Sequence, residues 1–378
     1  LDQSYLAKTF HGLEDLLAQE LTDLGAAEVR PVKRAVHFSG DQRILYQANL
    51  WLRTALRVLV PIHQFEARDE GGLYRGVQAI AWGEYLTPSQ TLAVDTVVHS
   101  AQFTHGHYVA LKAKDAIVDQ FRQQTGRRPS VDTDNPDLRI HLHVNDVTVR
   151  VLLDSSGESL HRRGYRLAGR RAPLNEVLAN GLLRLSGWTP EQPLLDPMCG
   201  SGTIPIEATL ISANIAPGLL RQRFGFQLWR DYDQSLWANL RREARAARRS
   251  PLAPILGRDL APAAINAAQA NARRAQVQDL IDFAPADFLL EPAPEVPGWL
   301  IMNPPYGERL GEEDQRAFYR SIGDRFKQAY AGHQAWVISS NLPALKALGL
   351  KPAKKHTLYN GPLLCKFQGY ELYAGTRA

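Results

Sequence analysis

From Pro173 onward, short apolar runs close on a polar residue and hand over to helical periodicity, and this alternation constrains the fold more than any other feature. Leu194 and Leu195 end a strand at Asp196, ahead of a helix over Thr203–Ser212. Ile255 and Leu256 end another at Asp259, ahead of an Ala-rich helix over residues 262–275 whose Pro262 suits a first helical position. A third strand ends near Asp287 and a fourth, Trp299–Met302, ends at Asn303. A helix carrying Phe318, Tyr319, Ile322 and Phe326 then leads to a strand over residues 336–339. Such alternation predicts a mostly parallel sheet with helices on both faces and a ligand beyond the carboxyl ends of the strands. Residues 357–359 and 363–373, around Asn360 and Gly361, read as a hairpin closing the sheet edge.

The first 154 residues follow another plan. Leu13, Leu16, Leu17 and Leu21 recur at helical spacing after Gly12, Val36 and Phe38 sit in a strand, and residues 45–60 form a second apolar, helix-like run, together a small α+β module. Asp115 is placed to cap a helix that turns Ile117, Val118 and Phe121 inward and stops at Gly126. Leu138, Ile140, Leu142 and Val144 alternate with Arg139, His141 and His143; after a turn at Asn145 and Asp146 the alternation resumes at Val147. One face of this hairpin is core and the other is expected to be wet. Without Cys or carboxylates at ligand spacing, His141 and His143 are not read as metal ligands, and no metal is assigned.

Only two cysteines occur, Cys199 and Cys365, which excludes a disulfide framework and a four-thiolate metal site and fits a reducing cytoplasm. No run approaches the ~20 apolar residues of a membrane span, and Leu1, Asp2, Gln3 and Ser4 lack the pattern of a signal peptide. The net charge of +5 is unevenly spread: residues 1–154 hold 16 basic and 19 acidic side chains, the remainder 28 and 20. Residues 161–171, HRRGYRLAGRR, carry Arg162, Arg163, Arg166, Arg170 and Arg171 without an acid, the electrostatic footprint of a phosphate backbone. Residues 241–249 hold five arginines and one glutamate and read equally well as a solvated helix face.

Four polar signals fall at four successive strand ends. In Asp196-Pro197-Met198-Cys199-Gly200-Ser201-Gly202-Thr203 the glycines let backbone approach a ligand and open a helix N-terminus toward it. The turn lacks the third glycine of a dinucleotide fingerprint and the lysine of a phosphate-binding loop. Asp259 is placed to bond ribose hydroxyls; it follows Gly202 by 57 residues, so residues 217–250 read as an insertion. Asp287 is placed to accept from an adenine amino group while the Phe288 ring packs on the base. Asn303-Pro304-Pro305-Tyr306 turns a nucleoside site into a reaction. An exocyclic amine on a base is a poor nucleophile until acceptors hold its N–H groups; the Asn303 side-chain oxygen and the Pro304 carbonyl suit that task, and consecutive prolines fix φ and remove competing donors. Tyr306 would stack on a base swung out of its helix. Cys199 has no adjacent His and is read as a small apolar residue.

These motifs resemble the S-adenosylmethionine-dependent amino-group methyltransferases. With LKAKDAIVDQFR at 111–122, SLHRRGYR at 159–166, APLNEVLANG at 172–181, DPMCGSGTIPIEA at 196–208 and FGFQLWRDYD at 224–233, nearly the whole chain resembles the THUMP-containing 23S ribosomal RNA guanine-N2 methyltransferases of the RlmL type. The resemblance implies an N-terminal ferredoxin-like segment (1–64), a THUMP RNA-binding domain (65–154), an Arg-rich linker (155–172) and a class I, Rossmann-like α/β methyltransferase domain with a mostly parallel seven-stranded sheet (173–378). It implies that Gly200, Gly202, Asp259, Asp287 and Asn303 line the cofactor site and that residues 303–306 hold the guanine amine. The expected cofactor set is then Asp196, Met198, Cys199, Gly200, Ser201, Gly202, Thr203, Asp259, Leu260, Asp287, Phe288 and Asn303, for S-adenosylmethionine. The expected partner is large-subunit ribosomal RNA, gripped by Lys112, Lys114, Arg127 and Arg128 together with Arg162, Arg163, Arg166, Arg170 and Arg171. Trp229 and Trp237, in the insertion, are expected to pack in a core rather than stack on bases. A tRNA guanine-N2 methyltransferase shares the same motifs. A DNA adenine or protein glutamine methyltransferase would leave residues 65–154 without a role, and an RNA-binding assembly factor would not need Asp196, Gly200 and Asn303.

Overall fold

A computed structural model describes residues 3–166, 174–305 and 312–374; Arg170, Arg171 and Tyr306 lie outside the described residues. The chain divides into two compact units, Leu1–Thr9 with Leu17–Leu160 and Arg221–Arg242, and Phe10–Leu16 with His161–Leu220 and Glu243–Ala378.

The first unit is built on β1 (Gln3–Lys8), α1 (Glu14–Asp23), β2 (Ala27–Val32), β3 (Ala35–Gly40), α2 (Gln42–Trp51), β4 (Arg57–Glu66), α3 (Glu70–Gln78), β5 (Thr91–His99), α4 (Gly106–Thr125), β6 (Ser130–Val131), β7 (Leu138–Asn145) and β8 (Thr148–Asp154). They form one eight-stranded sheet in the order β2-β3-β1-β4-β8-β7-β5-β6. The expected division after residue 64 falls inside β4, which pairs with β1 at Leu59 and with β8 from Leu59 to Glu66.

Four local expectations are corrected. The run over residues 45–60 is not one helix: α2 ends at Trp51 and Leu52 turns extended (ψ 124°), because Val58, Leu59 and Val60 serve as a central strand. The helix around Ile117 begins at Gly106, so Asp115 lies in mid-helix, ion-paired with Lys114, while Gly126 closes it at φ +71°. In the β7–β8 hairpin Asn145 still pairs with Thr148, so the turn is Asp146-Val147, with Asp146 at φ +51°. The polar side of that hairpin is not uniformly wet: His141 is 8% exposed and lies 3.2 Å from Asp154, whose carboxylate also takes Arg57.

The insertion contributes to the first unit rather than to the second. Phe226 stacks on Tyr46 at 4.2 Å between ring centroids, and Trp237, 4% exposed, meets both edge-on. The core role expected of Trp237 is what the structure shows, and Trp229 packs partly buried against the α3–α4 core.

The second unit contains α5 (Glu176–Leu185), β9 (Leu194–Asp196) and α6 (Thr203–Ser212); α7 (Gln234–Ala246) leads back from the insertion. Then follow β10 (Ile255–Asp259), α8 (Pro262–Arg274), β11 (Asp282–Pro285), β12 (Trp299–Met302), α9 (Glu312–Ala329), β13 (Gln334–Ser339), α10 (Leu342–Ala347), β14 (Lys354–Asn360) and β15 (Leu363–Glu371). The sheet order is β11-β10-β9-β12-β13-β15-β14. The first five strands of that order are parallel, and β15 alone is reversed, antiparallel to β13 on one side and to β14 on the other. This is the seven-stranded class I arrangement, and between β9 and β12 the connections reverse direction and leave a crevice. β11 stops at Pro285, two residues short of Asp287, since a proline has no N–H to offer a ladder. No helix among the described residues is long and apolar enough to cross a membrane.

Candidate active site

Beyond the carboxyl ends of β9, β10, β11 and β12 lies a cavity of about 810 Å³. Its wall brings together Asp196, Met198, Cys199, Gly200, Ser201, Thr203, Asp259, Leu260, Asp287, Phe288, Asn303 and Pro305. Gly202 stands behind the wall. It caps α6 at φ +83°, and a Cβ there would come within 2.9 Å of Ala268 and 3.1 Å of Phe283, so only glycine lets α6 start this close to α8. Pro304 is buried beneath the turn.

The turn after β9 is tied from several sides. The Gly200 N–H donates to Asp259 Oδ2 and the Ala261 N–H to Asp259 Oδ1, each at 2.9 Å, so the β10 carboxylate is fixed before any ligand meets it. Asn271 of α8 donates to the Ser201 carbonyl at 3.0 Å. The Met198 N–H reaches Asp196 Oδ1 at 3.2 Å. Asp196 is 2% exposed, and burial, reinforced by the nearby Asp259 charge, holds its carboxyl well above the usual carboxylate range. A cation arriving here would be welcomed twice, by two carboxylates and by relief of that repulsion. Cys199 packs with Ile265 and Ala268, and burial pushes its thiol up, as befits an apolar filler.

Asp287 receives the Leu289 N–H at 2.9 Å and keeps acceptor capacity toward the cavity. Phe288 corrects its expectation. Its ring is 4% exposed and packs against Tyr330 and Phe326, at 5.4 and 5.9 Å between centroids, so it is core rather than a platform for a base. At the end of β12 the Asn303 Oδ1 is shielded from solvent and has no hydrogen-bond partner among the described residues. A buried acceptor without a donor costs free energy, and the residue that carries it lines the cavity, so an N–H from a bound molecule that reached it would satisfy it.

The sequence reading missed Leu174, Ile204, Ala264, Ala267, Phe318 and Asn360, which also line the cavity. The alanines are visible as the small face of α8; Phe318 reads as helix core and Asn360 as a turn residue.

Residues 163–368 match the family described as the RMKL-like methyltransferase domain, residues 67–154 the THUMP domain and residues 4–59 the RlmL ferredoxin-like domain. The chain belongs to the RMKL-like methyltransferase family. It is 45% identical to slr0064 of Synechocystis sp., a protein carrying an RNA methyltransferase name, over 98% of this chain and 97% of that one. It is 42% identical to the ribosomal RNA large subunit methyltransferase K/L of Photobacterium profundum over 98% of this chain, spanning 53% of that relative's length. The solved structure of SMU.472, a methyltransferase complexed with SAH, superposes with a TM-score of 0.86 at 29% identity, covering 100% of this chain and 99% of that one. The RMKL-like domain is an S-adenosylmethionine-dependent methyltransferase fold, and the crevice at its sheet switch point is the cavity described above.

The arginines expected to grip RNA divide. Arg163 is 2% exposed, with its guanidinium 3.7 Å from the fully buried Glu207, which also accepts from Tyr165 at 2.9 Å and from Asn180. Arg166 pairs with Glu176 at 3.0 Å and donates to Thr203 Oγ1 at 2.6 Å and to the Leu174 carbonyl. Both therefore correct the sequence reading: they fasten the linker to α5 and α6 and are not turned toward a phosphate. In the THUMP domain Lys112 lies over the Tyr74 ring at 5.5 Å and Lys114 is paired with Asp115. Arg127, Arg128 and Arg162 are exposed.

Proposed function

We propose that this chain methylates the exocyclic N2 amine of a guanine in large-subunit ribosomal RNA. The observation that carries the proposal is that Asn303, a residue lining the cavity, holds a buried Oδ1 with no hydrogen-bond partner among the described residues. It is an acceptor waiting for an N–H, followed by two prolines that cannot compete for it. The K/L name of a relative supports the RNA class, and the THUMP match supports a grip on RNA.

S-adenosylmethionine, when bound, supplies an electrophilic methyl group. The residues present fit it. Asp259, already oriented by Gly200 and Ala261, suits ribose hydroxyls; Asp287 suits an adenine amino group; Asp196 offers a buried carboxyl that a cationic end would help to ionise. Asn303 Oδ1 and the Pro304 carbonyl then take the two N–H groups of the target amine, pulling its lone pair out of the ring and toward the methyl. Tyr306 is assigned to stacking on the flipped guanine. The proton of the methylated amine leaves to water, and alignment supplies most of the acceleration.

The test is transfer of radiolabelled methyl from S-adenosylmethionine to deproteinised RNA from a strain lacking this gene, with nucleoside chromatography. Label in N2-methylguanosine of the large-subunit fraction is expected; label in tRNA, or in another nucleoside, would overturn the assignment.

Asp196→Asn separates two effects of opposite sign. A folded-state carboxyl shifted up contributes stability below its unfolded pKa and loses it as pH rises, so at pH 8 keeping or ionising this buried carboxyl costs the ligand-free protein free energy relative to the unfolded chain. The amide is expected to raise the ligand-free melting temperature at pH 8 while weakening cofactor binding roughly tenfold or more. Thermal unfolding with and without cofactor reads both; lower ligand-free stability with unchanged affinity would count against this role.

A further inference from the structure

The eight-stranded sheet has two unlike faces. Ile140, Leu142, Val149 and Val151 turn one face toward α3 and α4 and form the core there. The register puts the alternate residues on the other: Lys8 stands opposite Ala35 and Arg57, His37 opposite Leu6 and Arg30, and His143 opposite Arg150. A small apolar cluster, Leu6, Ala35, Leu59 and Leu152, lies among them. Arg30 and Arg150 are exposed, and Lys8, His37 and His143 are half-buried.

The acids near the middle of this face are already answered, Asp154 by Arg57 and His141, and Asp95 by Arg139 at 3.0 Å; Glu66 stands at the far end of β4. Among the described residues Lys8, Arg30 and Arg150 have no carboxylate partner, and the hydrogen bond of Arg150 goes to the neutral Gln64 at 2.9 Å. The cost of this crowding is visible in the side chains themselves. Burial and then Arg34 push the Lys8 ammonium down; burial and then Arg30 and Arg150 push His37 down; burial, Lys8, His141, Arg150 and His99 bring His143 to about 3. An anion over the face would offset the part of each shift that neighbouring cations cause.

We propose that this sheet face, marked by the exposed Arg30 and Arg150 and by the half-buried Lys8, is a contact for the phosphate backbone of the substrate RNA. Extent selects the occupant. From Arg30 on β2 to His143 on β7 are five strand spacings, ~24 Å, which spans several nucleotides of a strand and is far beyond a free phosphate. The neutral imidazoles add N–H donors for phosphate or sugar oxygens. The inference rests on the reading of an RNA substrate given above.

The test is the double substitution Arg30→Glu and Arg150→Glu in the full chain, both at exposed positions that are not among the residues lining the cavity. Binding of labelled, deproteinised bacterial large-subunit rRNA fragments is followed by anisotropy between about 50 and 200 mM salt. Affinity at low salt is expected to fall at least tenfold and the log–log salt slope to lose about two, with affinity for S-adenosylmethionine unchanged. A matched variant, Arg245→Glu on α7 with Arg248→Glu just past its end, makes the same charge change elsewhere and should lose less. Wild-type affinity and slope in the sheet variant, or an equal loss in the matched one, would overturn the contact. A wild-type chain that binds the cofactor but no RNA would overturn the proposed function, and this contact with it.

Discussion

An Asn303→Ala protein is expected to bind S-adenosylmethionine within several-fold of wild type and to transfer methyl at least about 100-fold more slowly, the range for loss of a preorganised polar group that acts on the reacting atoms. The difference between the two readouts follows from geometry. Asp196 and Asp259 are spread along β9 and β10 and do not depend on the β12 turn for their orientation. Asn303 Oδ1 has no partner within the described protein, so truncating it breaks no internal hydrogen bond of that atom and should leave stability nearly intact. Asn303→Asp keeps an acceptor at the same place and is expected to retain part of the rate. Single-turnover transfer at saturating cofactor is the measurement. A near-wild-type rate in the alanine variant would remove Asn303 from the chemistry.

The second large effect concerns stability. Arg163→Ala would leave Glu207, which is fully buried, without its cation, and stranding one member of a buried ion pair costs about 3–5 kcal/mol. Tyr165 and Asn180 still donate to the carboxylate and offset part of that cost. Urea unfolding should show the midpoint fall, while the salt dependence of RNA binding keeps its slope. Unchanged stability with a shallower slope would return Arg163 to the RNA surface. Since Glu207 lies on α6, one turn past the start of the helix that follows Gly202, the loss should also loosen the cofactor wall.

The methyltransferase unit was largely legible from its sequence because its elements are local and punctuated. Strands β9, β10 and β12 are short runs closed by an acid or followed by Asn303, and α6 is bounded by the same residues in sequence and structure. The arginine-rich linker was not legible in the same way. HRRGYR shows charge, and charge alone is ambiguous between a phosphate outside and a carboxylate inside; Glu207 and Glu176, which decide the matter for Arg163 and Arg166, stand 44 and 10 residues further along the chain. Phe288 failed for a related reason, since its neighbours Phe326 and Tyr330 come from α9 and the residue after it. In the N-terminal half the hairpin pattern was correct but its turn was displaced by one, because Asn145 and Asp146 both tolerate turn geometry and only the ladder picks between them.

Strand β4 carries a last consequence. Its first residues complete the ferredoxin-like pairing at Leu59 and its later ones hold β8 of the THUMP part. A cut between those two halves would saw through a ladder and leave raw strand edges on both products, the kind of surface that sticks to its own copies. The names of the two domains thus describe ancestry more than mechanics: what can be transplanted, grafted or inherited intact is the whole sheet, as a single cassette.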